Sequence, residues 1–333
     1  MWDFSIAKAL GLMIRTAPFL IFRALVYFAI AAGLVITTWA GAGSGYGIGL
    51  IGDEEFRVSS TIWGGVAGFA LAAGVIFFLR DYLLYIVKAG QIAVMVEYLD
   101  GRPLPYGQGQ IAYARAVVTE RFGQASALFV LDRLVRGVIA LITGLVEGVA
   151  TLVPVPGLGQ IMAAVRAWLK IAVGLVDEVI LAHAIRTRSE NAWEAAHDGL
   201  VLYAQNGRAM LVNAAWLTLI SWGLAVAVFL LMLAPAAALV WLLPGEASGG
   251  TFVFALIFAW AVKAALIEPF AIAAMMDVYF RVIEGQTPDP AWDERIGQVS
   301  KKFRDLGEKA ANWADPRTPT QPPPFIAPGG PVA

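Results

Sequence analysis

The stretch AMLVNAAWLTLISWGLAVAVFLLMLAPAAALVWLLPG, from Ala209 to Gly245, holds no charged residue. About 20 apolar residues are enough for a helix to cross the hydrocarbon core, so this run alone reads as a membrane span. Composition extends that reading to the rest of the chain. Its 333 residues are 59% hydrophobic and 15% charged, with a mean hydropathy of +0.70. A soluble chain carries about 25% charge. The charge here cannot cover a water-facing surface, so the bilayer must solvate much of the chain.

Working outward from this run, the same pattern recurs. Ala24 to Gly52 is uncharged, with its apolar part ending near Ala40. Val58 to Leu79 is a second run, and Gly137 to Val153 a third, interrupted by Glu147. Pro154-Val-Pro-Gly157 makes a turn before a fourth, Gln160 to Ile185, which holds Arg166, Lys170, Asp177 and Glu178. Thr251 to Phe280 is the last, with Lys263, Glu268 and Asp277 inside it. The expectation is an all-α polytopic membrane protein with about six transmembrane helices. Residues 137–153 and 160–185 are its doubtful pair, readable as two crossings or as a re-entrant hairpin.

Basic residues set the orientation. Lys8, Arg15 and Arg23 precede the first span, and Arg186, Arg188 and Arg208 lie between the fourth and fifth. The opposite loops contain only Arg57, beside Asp53, Glu54 and Glu55. Both termini are therefore expected in the cytoplasm, with the chain in a cell (inner) membrane. The N-terminus does not read as a cleaved signal peptide, because its basic residues are scattered.

Short motifs repeat. Phe4-Ser-Ile-Ala-Lys-Ala-Leu10, Gln110-Ile-Ala-Tyr-Ala-Arg-Ala116 and Asn191-Ala-Trp-Glu-Ala-Ala-His197 each open a unit, and Pro290-Ala-Trp-Asp-Glu-Arg-Ile296 opens the C-terminal helix. The exit Tyr98-Leu-Asp-Gly-Arg-Pro-Leu-Pro105 matches Val282-Ile-Glu-Gly-Gln-Thr-Pro-Asp-Pro290. This predicts one helical membrane domain, 1–314, built as three hairpins over 3–105, 106–190 and 191–289, each with an amphipathic helix on the cytoplasmic side. The last such helix, 290–314, carries Trp292, Ile296, Val299, Phe303, Leu306, Ala310 and Trp313 at alternating spacings of four and three, one apolar stripe. Asp289 is its expected cap, with Pro290 in the first turn. These helices either lie in the headgroup layer or pack on the chain's own ends. The proline-rich tail, 315–333, is expected to be disordered.

Charges at membrane depth are costly, so they face a bundle interior, pair with one another or line a path. Lys263, Glu268 and Asp277 are the first candidates for a solute pathway or ion-coupling site, with Arg166, Lys170, Asp177 and Glu178 next. Lys263 and Glu268, five apart, are expected to lie well round an α-helix from each other, each needing a partner elsewhere. Arg80, Asp81 and Lys88 lie near the inner end, where snorkelling suffices. Trp168 and Trp260 are possible aromatic contacts beside Arg166 and Lys263. The alternating Gly41-Ala-Gly-Ser-Gly-Tyr-Gly-Ile-Gly49 reads as a flexible outer loop.

Several classes are disfavoured. A net charge of −1 without a basic stripe argues against nucleic acid. The chain has no cysteine, so no disulfide or thiolate site exists. His183 and His197 are its only histidines, too far apart in sequence for one-turn metal spacing. Hydrolase elbow, phosphate-loop and zinc-protease motifs are missing. No enzyme activity, cofactor or metal is expected.

Two stretches carry a family resemblance. One is Ala182-His-Ala-Ile-Arg-Thr-Arg-Ser-Glu-Asn-Ala-Trp-Glu-Ala195 with Ala204-Gln-Asn-Gly-Arg208, and the other is Ala271-Ile-Ala-Ala-Met-Met-Asp-Val-Tyr-Phe-Arg-Val-Ile-Glu284. From about Val176 onward the chain resembles the C-terminal part of choline-transporter-like membrane proteins, with Asp277 at the acidic position of that family's final membrane segment. The resemblance implies a multi-span carrier. The N-terminal half does not share it, and the family's long cysteine-bearing outer loop is missing.

The expected function is a transporter or permease for a small polar or charged solute, with the bilayer and that solute as partners and a homo-oligomer left open. The alternative is a non-transporting scaffold acting through interfacial helices and the proline-rich tail.

Overall fold

The computed structural model describes residues 2–104, 109–121, 175–241 and 249–313. Among them every regular element is helical. In chain order these are α1 (Ile6–Arg15), α2 (Ala17–Gly49), α3 (Glu54–Leu99), α4 (Gln110–Arg121), α5 (Val176–Arg186), α6 (Ala192–Gln205), α7 (Gly207–Trp241) and α8 (Gly249–Val262). A π turn, Lys263–Ile267, joins α8 to α9 (Glu268–Val282), and α10 (Pro290–Val299) and α11 (Lys301–Ala311) follow.

Four helices among the described residues are long and apolar enough to cross a membrane: Ala17–Gly49, Glu54–Phe77, Gly207–Trp241 and Thr251–Val282. Expected segments 137–153 and 160–174 lie outside the described residues, as do Arg166, Trp168, Lys170 and the tail from residue 314. Only the end of the fourth expected segment is described, and it forms α5 apart from that helix's last residue.

The glycine-rich stretch is not a loop. α2 runs as one 33-residue helix to Gly49, and the turn to α3 is confined to residues 50–53. The alternating glycines divide between two helix faces. Gly41, Gly45 and Gly49, four apart, press against α3. A Cβ on Gly41 would sit 2.2 Å from the Gly64 carbonyl oxygen, and one on Gly45 would sit 2.0 Å from that of Ser60. Gly43 and Gly47 face away, with nothing within 4 Å. Lipid is as apolar as a leucine side chain, so burial does not drive two such helices together. Close backbone approach gives dispersion contact instead, and only glycine permits it. Alternation along the chain looked like conformational freedom; folded on a 3.6-residue period, it is half interface and half outward-facing surface.

α3 continues well past its apolar half, for 46 residues in all. Its last turns enter a packed body with α1, α5, α6, the start of α7, α9 and α11, built on Ile92, Met95, Ile180, Leu200, Met210, Met275 and Tyr279. A smaller core lies between the spans, around Tyr27, Ala31, Leu34, Phe254 and Ala261.

Three residues among those described have positive φ, and each follows a helix entering this body: Gly101 (67°) after α3, Arg188 (52°) after α5, and Gly285 (72°) after α9. Glycine is the residue that tolerates this left-handed C-cap. After α3, the Arg102 N–H reaches back to the Glu97 carbonyl at 2.9 Å. After α9 the bonding differs, since the Gln286 N–H reaches only Ile283 O, at 2.9 Å.

The C-terminal amphipathic helix, expected as one piece, is two. Ser300 has extended backbone (φ −124°, ψ 106°) and caps α11 by accepting from the Phe303 N–H. Asp289 caps α10 through the Ala291 N–H, with Pro290 in the first turn. The break turns Phe303 and Leu306 into the body while Val299 stays exposed. α11 lies on α6: Phe303 stacks on His197 at 4.3 Å, and the Asn191 amide donates to the Ala310 carbonyl at 2.8 Å.

Candidate functional site

The charged residues group at the base of the bundle, starting from Arg23. It sits about 9 Å along α2 from its first residue, flanked on both sides by apolar sequence, and is completely buried. Such a group persists in a membrane helix only if all of it is bonded.

The π turn explains part of the bonding. There the Glu268 N–H donates to Lys263 O, five residues back, instead of to Ala264 O. The next residue, Pro269, has no N–H. Ala264 O is thereby left without a donor from its own helix. Arg23 Nε fills that place at 2.8 Å. Its Nη1 donates to Gln91 Oε1 on α3, and its Nη2 to Glu268 Oε2, both at 3.0 Å. The Tyr27 ring lies 5.4 Å from the guanidinium carbon, and Trp260 meets Tyr27 edge-on at 5.5 Å.

The expectation that Lys263 and Glu268 lie apart is overturned by the same turn. In an α-helix five residues span about 140° of net rotation. The wider π turn brings Lys263 Nζ to 3.4 Å from Glu268 Oε1. Glu268 is thus shared by Lys263 on its own helix and Arg23 on α2, and both members of its intrahelical pair remain about a third exposed.

Two further candidates join other pairs. Glu178 Oε1, at the start of α5, accepts from Lys88 Nζ of α3 at 2.5 Å, and Asp177 is its chain neighbour. Lys88, expected to snorkel, is instead bound across helices. Asp277 lies about 13 Å along the helix from Glu268. It pairs with Arg281 at 3.1 Å and with Lys8 of α1 at 3.7 Å. Lys263 and Glu268 therefore come together, while Glu178 and Asp277 belong to separate pairs. Of the two aromatic candidates, Trp260 borders the Arg23 cluster. Arg80 lies within α3.

A fourth group lies near the end of α3, well past its membrane-length part Glu54–Phe77. Glu97 is buried and accepts from Tyr113 and Arg102 at 2.7 Å and from Arg188 at 3.0 Å. Burial alone would raise its carboxyl pKa. The bonds from Tyr113, Arg102 and Arg188 outweigh burial and hold it below the ordinary value. Asp100 beside it pairs with Arg102 and Arg186 at 2.7 and 2.9 Å.

Sequence reasoning passed over Arg23, Gln91 and Glu97. Arg23 had a legible signal, since Phe19-Leu-Ile-Phe precedes it and Ala24-Leu-Val follows it. Gln91 similarly interrupts the apolar run Ile86 to Val96 together with Lys88.

Among the described residues these features define an all-helical architecture with four helices suited to a membrane and a polar base where several charges meet. No family model matches the chain, and neither a curated protein nor a solved structure matches it.

Proposed function

We propose that the chain is a multi-pass permease or carrier for a small polar or charged solute, with Glu268 as the group that binds the solute or a coupling ion. The single supporting observation is the Arg23–Glu268–Lys263 cluster on a π turn. A carboxylate shared by two cations on different helices can exchange one partner for a solute while keeping the other. π turns inside α-helices occur frequently at functional sites, and this one supplies both the pairing of Lys263 with Glu268 and the vacant carbonyl that seats Arg23.

The reading takes the chain as three hairpins with about six crossings, residues 137–185 forming the middle hairpin, and both termini in the cytoplasm. The base, which carries Lys8, Arg15, Arg186 and Arg188 against the lone Arg57 of the opposite turn, is then the cytoplasmic face. A positive-φ residue two or three positions after each of α3, α5 and α9 supports a threefold repeat of one unit. The resemblance of the C-terminal part to choline-transporter-like proteins points the same way.

Purified protein reconstituted in vesicles tests the reading. Flux of a panel of small charged and zwitterionic solutes is compared with empty vesicles, for the natural chain and for Lys263→Gln, Glu268→Asp and Asp277→Asn, each normalised to folded protein. Solute-dependent flux that falls in the Glu268 and Lys263 variants supports a permease. Flux equal to that of empty vesicles for every solute rejects it. The second reading, a scaffold that carries nothing, is favoured by the pairing of Glu178, Glu268 and Asp277 with cations, and gains if the variants alter only stability.

A further inference from the structure

α1 has three sides. Ala9, Leu12 and Met13 are buried in the body. Lys8 and Arg15 lie about 20° apart on a second side, about 100° round the helix from the buried one at 100° per residue, and both are exposed. Between these sides Ile6, Leu10 and Ile14 fan over an arc of about 80°. They are 44, 47 and 74% exposed. This apolar stripe faces neither the core nor the cations.

α11 at the same base does not share the pattern. α11 buries Phe303 and Leu306 but turns Lys301, Lys302 and Arg304 outward, so its outer side is charged. Its amphipathic stripe is used up by packing on the chain itself. α1 has a core-facing stripe and a second one left over.

What covers the second stripe follows from what adjoins it. α2 begins two residues after Arg15's helix ends, and its exposed residues Ile21 and Leu25, 61 and 66% exposed, belong to a helix long enough to cross a membrane. Along the chain, the exposed apolar residues of α1 are thus followed directly by those of a membrane-length helix. Trp2 and Trp216 meet edge-on at 5.3 Å at the other end of α1, each more than a third exposed, as aromatic residues do at a membrane–water boundary. The helix is held there by its own chain: Asp3 N–H donates to Asn213 at 2.7 Å, and Arg281 donates to Asp3 O at 2.7 Å.

We propose that α1 lies in the plane of the bilayer at the basic face, with Ile6, Leu10 and Ile14 in the acyl boundary and Lys8 and Arg15 at the level of anionic phospholipid headgroups. Lys8 then has two alternative partners, the Asp277 carboxylate at 3.7 Å and a headgroup phosphate. The surface charge of the leaflet bears on a candidate site residue through this exchange. The inference is independent of whether the chain transports anything.

The natural chain has no cysteine, so single labels are clean reporters. Ile6→Cys, Leu10→Cys, Ile14→Cys and, as a control on α11, Lys302→Cys are labelled with a fluorophore. The full chain is placed in bilayers of phosphatidylcholine with or without phosphatidylglycerol. The three α1 labels are expected to be quenched by acyl-chain-brominated lipid and shielded from iodide, and the control the reverse. Lys8→Gln and Arg15→Gln should each weaken the preference for phosphatidylglycerol by about fivefold. Iodide access at residues 6, 10 and 14 equal to that at 302 overturns the proposal. So does protection from both quenchers, which would mean that protein covers the stripe. An unchanged lipid preference in both charge variants removes the headgroup assignment.

Discussion

Arg23 Nε donates to the carbonyl oxygen of Ala264 at 2.8 Å, from one membrane-length helix to a carbonyl on another that the π turn leaves without a donor. The relationship ties a side chain near the start of α2 to a backbone irregularity 241 residues later. It also sets the energetic stakes. Removing one member of a buried charge pair costs about 3–5 kcal/mol, because the other is left uncompensated. Arg23→Met should therefore lower stability by roughly that amount, and Arg23→Lys should recover only part of it, since an ammonium cannot reach three acceptors as a planar fork does. Thermal unfolding in detergent measures both. A lysine variant as stable as the natural chain would refute the fork.

The two partners of the intrahelical pair should respond unequally. Lys263→Gln leaves Glu268 with Arg23, and the pair it breaks is about a third exposed, so the loss should stay under about 1 kcal/mol. Glu268→Gln withdraws charge from the fully buried Arg23 and should cost several-fold more. The double variant Arg23→Met with Glu268→Gln should be less destabilised than the sum of the single ones. Strict additivity would mean that the pair is not coupled.

Glycine substitutions on α2 should divide by face. Gly41→Ala and Gly45→Ala drive a methyl into the backbone carbonyls of Gly64 and Ser60, which cannot step aside, so α2 and α3 must separate. Gly43→Ala and Gly47→Ala meet nothing within 4 Å and should stabilise the helix by about 0.5–1 kcal/mol. Melting temperatures of the four variants give the comparison, and equal losses on both faces would contradict the packing.

Acid should loosen the base through Glu97. Its native carboxyl titrates below its ordinary value of 4.5, so the folded state binds its proton less readily than the unfolded state. The stability it contributes is complete above that ordinary value and is lost as the pH falls through the depressed native one. Glu97→Gln should flatten the melting temperature against pH in that acidic window and leave the slope near neutrality unchanged. An unaltered acid limb in the variant would show that other carboxylates dominate.

The four membrane-length helices were legible because their signal is local: a run without charge, long enough for the bilayer, needs no knowledge of neighbours. Caps such as Asp289 were legible for the same reason. The glycine stretch was misread because a glycine supports a loop or a close helix contact equally well, and only the facing residues Ser60, Gly64 and Gly68 decide between them. The C-terminal amphipathic helix was misread at Ser300, where an unbroken period of alternating fours and threes concealed a cap.

By itself, the sequence determined where helices long and apolar enough for a bilayer run, which of their flanks carry basic residues, and which ionisable groups lie within apolar runs. Tertiary structure decided which of those groups meet. Arg23 looked like a flanking charge until α2, α3 and the π turn converged on it, and Lys263 and Glu268 looked mutually remote until the helix widened between them. Hydropathy is a sum over neighbours in the chain, whereas an ion pair in a membrane depends on the distance and angle between helices, which no local window contains.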